Sequence, residues 1–169
     1  MDLCKAINLL RDKERKKCEV HILGSIQSED YWAEIQDYVK QKQLESNICY
    51  DGFSDHVFGT MLNSDCVCVC SENEAFGRVT VEGMLAKCIV IGANTGGTAE
   101  IIQDGQNGLL YQQGDPTSLA ERISYCINNS ETVRRVADAG YHSAIEKYSD
   151  VSNAKRIQEV YDSVLGMNQ

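Results

Sequence analysis

Five short, mostly apolar runs, at 18–23, 47–50, 66–70, 88–91 and 108–111, alternate with longer segments whose apolar residues recur at helical spacing. This alternation limits the fold more than any other feature. Strands joined through helices are joined by crossovers, and crossovers make neighbouring strands parallel. The run Cys66-Val67-Cys68-Val69-Cys70 strengthens the point. On a strand the three cysteines share one face and the two valines the other. Both faces are therefore apolar, as a strand buried between two helical layers requires. The spacing predicts helices over 2–17, 29–42, 55–63, 77–87, 98–103, 116–128, 131–147 and 153–165. Asp115-Pro116 marks one start clearly, with an N-cap side chain followed by proline at the first helical position. The expected fold class is α/β, a doubly wound parallel sheet with helices on both faces.

Composition bears on function mainly by exclusion. The chain has 169 residues, 43% hydrophobic and 24% charged, enough for one domain with a core. Its formal net charge of −9 argues against a nucleic-acid partner or a polybasic membrane anchor. No apolar run reaches membrane-spanning length, and the first residues resemble neither a secretory signal nor a transit peptide. The expected location is cytoplasmic, with any peripheral membrane association supplied by a partner. Eight cysteines invite a metal or disulfide reading. None has C-x-x-C spacing or a histidine at ligand spacing, so core thiols in a reducing compartment are expected and no metal site.

The densest chemistry lies in 71–86, Ser-Glu-Asn-Glu-Ala-Phe-Gly-Arg-Val-Thr-Val-Glu-Gly-Met-Leu-Ala. Glu74 and Glu82 have seven residues between them, with Phe76-Gly77 inside. The segment reads as the turn and helix following one strand and preceding the next. In an open parallel sheet, ligands bind where strands end and helices begin. The first turn of such a helix offers free N–H groups and a positive dipole end, which suits phosphate. Carboxylates to either side suit the hydroxyls of a nucleotide-sugar. A second turn, 92–97, contains Gly96-Gly97, where the backbone can take positive φ or approach a ligand closely.

Glu-x7-Glu with Phe-Gly inside, followed by Gly96-Gly97-Thr98-Ala99-Glu100-Ile101-Ile102 and Asp104-Gly105-Gln106-Asn107-Gly108-Leu109-Leu110-Tyr111, resembles the donor-binding half of retaining GT-B glycosyltransferases, the glycosyl transferases group 1 family. The resemblance covers about 5–165 and implies a Rossmann-like domain, one half of a GT-B fold. It implies transfer of a hexose from a UDP- or GDP-sugar to a saccharide or lipid-linked acceptor, as in polysaccharide biosynthesis, with no metal or other cofactor. Glu74 would stand beside the transferred sugar as the catalytic carboxylate. Glu82 would accept hydrogen bonds from the ribose hydroxyls. Phe76 and Gly77 would offer backbone N–H groups to the sugar, and Arg78 and Val79 theirs to the diphosphate. Gly52 and Phe53 would cradle the base, Ser71 would contact phosphate or cap its turn, and Gly96 and Gly97 would bring the backbone of the second loop close to the donor. Glu100 is expected to bond loop N–H groups at a helix start.

The same resemblance identifies what the chain departs from. The family's donor domain opens with a central strand and a Gly-rich turn carrying an Arg and a Lys for the diphosphate, and an acceptor domain precedes it. Residues 1–169 are thus expected to be a single nucleotide-sugar-binding domain lacking its first strand and the N-terminal acceptor domain. The strands flanking the gap would pair directly, or another chain would supply a strand, or the chain is part of a longer protein. Lys87 stands where glycine commonly ends the family's helix, implying a costlier terminus. The last helix resembles the segment crossing back to the acceptor domain, so Ile157, Val160, Val164 and Leu165 are expected to be exposed or to form a dimer contact. His21, His56 and His142 are read as structural, and Tyr111, Tyr148 and Tyr161 as packing residues with hydroxyls in water. Two other classes remain open: a non-catalytic nucleotide-sugar-binding or partner module assembling with a separate acceptor-domain chain, and a sugar-nucleotide epimerase.

Overall fold

The apolar runs form five strands in a computed structural model that describes residues 1–166: β1 (Val20–Leu23), β2 (Ile48–Gly52), β3 (Cys66–Val69), β4 (Ile89–Ala93) and β5 (Leu109–Tyr111). Between and after them lie α1 (Asp2–Leu9), α2 (Asp12–Arg15), α3 (Glu29–Gln41), α4 (Val57–Leu62), α5 (Arg78–Leu85), α6 (Gly96–Ile101), α7 (Pro116–Asn128), α8 (Ser130–Tyr148) and α9 (Asp150–Leu165). All strand pairs are parallel, as helical crossovers demand.

Helices cover both faces, and β4 shows how. Ile89, Ile91 and Ala93 enter one core with Cys4 and Ile7 of α1 and Leu119 of α7. Val90 enters the other with Val81 and Met84 of α5 and Ala144 of α8. Strand alternation alone produces this split. In β3, Cys66, Cys68 and the following Cys70 face the first core, while Val69 faces the second. All eight cysteines are free thiols.

The strands do not form one continuous sheet. β1 pairs with β2, and β3-β4-β5 form a separate three-stranded sheet. Of the outcomes expected for a gap in the strand order, direct pairing of β1 with β3 is the one this arrangement rejects. The two sheets share the first core, to which Val20 and Ile22 of β1 and the β3 cysteines all contribute.

Local differences from expectation have local causes. The helix expected over 2–17 breaks at Leu10 and Arg11, both extended (ψ 147). Unbroken, it would carry Glu14 along the apolar stripe of Ile7 and Leu10. The break aims that carboxylate at the polar end of α7, where Ser124 Oγ (2.9 Å) and Asn128 Nδ2 (2.7 Å) donate to it. The end of α5 is a Schellman motif: Cys88 N–H donates to the Gly83 carbonyl (3.1 Å) and Lys87 N–H to Met84 (3.0 Å). Lys87 occupies its left-handed position (φ 59), the costlier ending that its side chain implies. Tyr111 is corrected: its side chain is buried and its hydroxyl has no hydrogen-bond partner, so it is not wetted. On α9, Ile157, Val160, Val164 and Leu165 are exposed. No described helix is long and apolar enough to cross a membrane.

Candidate functional site

The segment between β3 and α5 is held by backbone contacts rather than by side-chain packing. Gly77 is the N-cap of α5 and takes the left-handed conformation (φ 81), which glycine adopts without penalty. Glu74 Oε1 accepts from the Gly77 N–H at 3.1 Å. The N–H groups of Arg78 and Val79 lie in the first helical turn, and α5 has no side-chain cap to satisfy them. They project where the dipole is positive.

The Gly96-Gly97 turn clamps this loop from the opposite side. Gly97 N–H donates to the Glu74 carbonyl at 2.7 Å. Gly96 has φ 51, and a Cβ there would meet the same carbonyl oxygen at 2.4 Å. A Cβ on Gly97 would stand 2.5 Å from the carbonyl carbon of Phe76. The close approach expected of these glycines is therefore made to the 74–77 backbone. Below the clamp, Thr80 and Thr98 join α5 to α6 through a buried hydroxyl pair at 3.1 Å. Gln113 Nε2 and Thr95 Oγ1 both donate to the Glu72 carbonyl, at 3.2 and 3.4 Å.

Glu82 lies one turn along α5 from Arg78, and Arg78 Nε reaches Glu82 Oε1 at 3.3 Å. The Arg78 side chain is 82% exposed and that of Glu82 35%, so this pair is screened and adjustable. Phe76 is 65% exposed and sets its ring edge-on to Tyr148 at 6.4 Å. The structure thus brings together Glu74, Phe76, Gly77, Arg78, Val79, Glu82, Gly96 and Gly97. Ser71 is exposed at the mouth of the loop, with no hydrogen bond from its side chain among the described residues. Gly52 (φ 74) and the exposed Phe53 stand at the end of β2, in the other sheet.

Glu100 is corrected. It is exposed and its side chain makes no hydrogen bond among the described residues; the Glu74 carbonyl receives the Gly97 amide at that helix start. Thr80, Thr98 and Gln113 were missed as supports of the site. A threonine on a buried helix face is the only signal the pair offered, and Gln113 had none, being 41 residues from its partner. No group of three His, Cys, Asp or Glu side chains among the described residues is arranged to hold a metal ion. Depressions of about 560 Å³ beside α1 and α3 and about 530 Å³ between α1 and α7 are lined by other residues than this loop.

Comparison with known proteins gives this geometry its context. The profile of the family described as glycosyl transferases group 1 matches residues 2–143. The N-acetyl-alpha-D-glucosaminyl L-malate synthase of Bacillus anthracis is 29% identical over 131 residues, covering 78% of this chain and 34% of that protein. A crystal structure of Anabaena HepE in complex with UDP superposes with a TM-score of 0.88 at 27% identity, covering 96% of this chain and 44% of that one. A crystal structure of the C-terminal domain of a glycosyl transferase group 1 family protein from Francisella tularensis superposes with a TM-score of 0.81 at 27% identity, covering 88% and 78%. The chain spans about a third of the length of the curated relatives it matches. With the family profile covering most of its residues and the fold matching throughout, the chain belongs to the glycosyl transferases group 1 family.

Proposed function

We propose that the loop 71–77, the start of α5 and Glu82 bind the nucleotide diphospho-sugar donor of a retaining hexosyltransferase. The observation that carries this is the alignment of the uncapped Arg78 and Val79 N–H groups with a carboxylate on either side, Glu74 in the loop and Glu82 on the helix. Backbone N–H groups at a dipole's positive end stabilise a diphosphate, including the charge that develops as it leaves. Glu82 accepts from the ribose hydroxyls, releasing Arg78 toward the phosphates. Glu74 keeps its bond to Gly77 N–H through Oε1, which fixes the carboxylate beside the sugar. The chemistry needs no metal on this reading. Structures of HepE in complex with UDP and with UDP-glucose support a uridine nucleotide as donor, with GDP as the alternative base. Transfer to a saccharide or lipid-linked acceptor belongs to the whole enzyme, with an acceptor domain supplied beyond these residues. The expected setting is cytoplasmic, beside a membrane where the acceptor is lipid-linked. The apolar side chains of α9 meet that domain or a second copy.

Arg78 is the only cation in 71–86, and it is paired with Glu82. That favours one second reading, a module that binds nucleotide-sugar without turnover. Calorimetric titration with UDP, GDP and their hexose conjugates, beside Glu82→Ala, tests donor binding. Binding of one nucleotide, lost in the variant, is expected. Equal affinity in the two proteins refutes the ribose role. Turnover on supplying an acceptor domain, abolished in Glu74→Ala, separates the transferase from the module.

A further inference from the structure

The loop 71–77 is tied down through its main chain except at one peptide. The carbonyls of Glu72 and Glu74 accept from Gln113, Thr95 and Gly97, and Gly77 N–H donates to the Glu74 side chain. The N–H groups of Ala75 and Phe76 have no hydrogen-bond partner among the described residues. On the donor-binding reading, the Phe76 N–H meets a hydroxyl of the transferred sugar. Something other than a hydrogen bond must then aim it. Two contacts act on this residue. The Phe76 backbone lies so close to Gly97 that an added Cβ there would stand 2.5 Å from its carbonyl carbon. That contact stops the chain from sinking toward α6 but leaves it free to rotate about its own axis. The ring supplies the second constraint. It meets Tyr148 edge-on, with centroids 6.4 Å apart and planes at 85°, the arrangement that aromatic pairs favour. Ring and N–H hang from the same Cα, so holding the ring limits the swing of the rigid Ala75–Phe76 peptide.

Tyr148 is a fixed post. It ends α8 and lies half-buried against the second core, which also holds Ile101 and Ala144. The same core floors the loop, because Gly77 packs on Ile101, whose Cδ1 would stand 2.6 Å from an added Cβ. Upstream, α8 is locked to the turn before β5. A Cβ on Gly140 would lie 2.6 Å from the Asn107 carbonyl oxygen, and Asn107 Nδ2 donates to Ser143 Oγ at 3.4 Å. Downstream, the helix stops abruptly at Ser149 (ψ 154). Ser149 Oγ accepts from Ser152 N–H at 3.2 Å, and Ser152 Oγ donates to the Glu146 carbonyl at 2.5 Å. The Tyr148 hydroxyl makes no hydrogen bond among the described residues, so its ring is what it contributes to the loop.

We propose that Tyr148 is a positioning residue for the sugar end of the donor: it holds the Phe76 ring and thereby aims the free Phe76 N–H at a hydroxyl of the hexose. This role rests on the donor-binding reading. It acts on the sugar alone. The Arg78 and Val79 N–H groups, which serve the diphosphate, belong to the first turn of α5 and are set by that helix. Affinity for the bare nucleotide is therefore independent of Tyr148, whereas the contribution of the hexose depends on it.

The test is calorimetric titration of the whole chain with UDP against UDP-glucose, and GDP against GDP-mannose. The proteins compared are the unaltered chain, Tyr148→Leu, Tyr148→Phe, Phe76→Leu and the double variant carrying both leucines. Tyr148→Leu and Phe76→Leu are each expected to weaken the nucleotide-sugar by about threefold to tenfold, what an aromatic pair of this geometry contributes, and the bare nucleotide by less than about twofold. The double variant should lose no more than either single one, because the two rings make one contact. Tyr148→Phe keeps the ring and should bind like the unaltered chain. Equal weakening of nucleotide and nucleotide-sugar means a general disturbance of the loop and overturns the proposal, as do additive losses or a loss in Tyr148→Phe. Phe76→Leu changes an exposed side chain, so the test stands even where Tyr148→Leu fails to fold. The ring contact is also read without donor, since the Phe76 ring protons should shift by NMR in Tyr148→Leu; no shift overturns the proposal whatever the titrations give. An unaltered chain that binds neither nucleotide refutes the donor reading and this role with it. Donor binding with an unchanged ratio of nucleotide-sugar to nucleotide affinity in Phe76→Leu refutes this role alone.

Discussion

Gly97→Ala is expected to destabilise the protein, although replacing glycine by alanine in a helix normally does the reverse. The normal gain is up to about 1 kcal/mol, from reduced backbone freedom in the unfolded chain. Here the added Cβ would lie 2.5, 2.7 and 2.9 Å from the carbonyl carbon, oxygen and Cα of Phe76. Carbon atoms rest at about 3.5–4.0 Å, so the 74–77 loop would have to retreat by roughly 1 Å. The bond from Gly97 N–H to the Glu74 carbonyl, now 2.7 Å, would then open beyond hydrogen-bonding range. Losing it costs about 1 kcal/mol. Overpacking against backbone, which cannot rotate aside, costs about 1–3 kcal/mol. Set against the propensity gain, the net is a loss of about 1–3 kcal/mol. Gly59→Ala is the control: it lies in α4, has nothing within 4 Å of its added Cβ, and is expected to stabilise by about 0.5–1 kcal/mol. Urea unfolding of the three proteins at matched slopes gives both differences. Equal, stabilising effects at Gly97 and Gly59 would refute the clamp. Donor affinity should fall with Gly97→Ala and not with Gly59→Ala.

Other outcomes follow from single contacts. Lys87→Gly relieves a left-handed residue at the end of α5 but removes the contact of Lys87 Nζ with the Tyr141 ring at 4.6 Å. Relief of about 1 kcal/mol should exceed an exposed cation–π contact of about 0.5–1 kcal/mol, leaving a small rise in Tm by calorimetry; a fall means the ring contact wins. Asn107→Ala orphans the Gln103 amide (2.7 Å) and the Ile101 carbonyl (3.1 Å), which Asn107 bonds from a buried position, and should lose about 1–3 kcal/mol in urea. A loss below that range would mean water replaces the side chain. Glu14 is held well below the usual carboxylate range, first by Arg11, then by Asn128, with Ser124 adding to them. A depressed folded-state pKa contributes stability above the unfolded value of about 4.3, lost as pH falls below it. Glu14→Gln should therefore flatten the acid limb of a stability–pH curve, and an unchanged limb would exclude Glu14 as its source.

The Glu74–Glu82 spacing, the Phe76-Gly77 turn and the Gly96-Gly97 pair were legible because each is local. A strand end, a turn and a helix start follow one another within 66–85, and residue type and spacing report them directly. The alternating thiols of β3 were legible for the same reason, since their face follows from a period of two. The break at Leu10 was not, because the residues that draw Glu14 inward, Ser124 and Asn128, are 110 and 114 positions away. Glu100 failed in the same manner: a helix-start carboxylate is a sound local expectation, yet the amide goes to a main-chain carbonyl from another loop. The wet hydroxyl expected of Tyr111 gave way to burial contributed by elements distant in sequence.

By itself the sequence determined the alternation of strands and helices, their parallel direction, the two-faced apolar character of β3 and β4, and the residues gathered around α5. These rest on periodicity, turn chemistry and covalent neighbourhood, which act over a few residues. Only the tertiary structure decided that Gly97 packs on Phe76, and that β5 closes its own edge through Asp104 and Arg122 while β1 and β3 stay apart. Those outcomes depend on which strand lies next to which, and a ladder needs a neighbour that local sequence does not name.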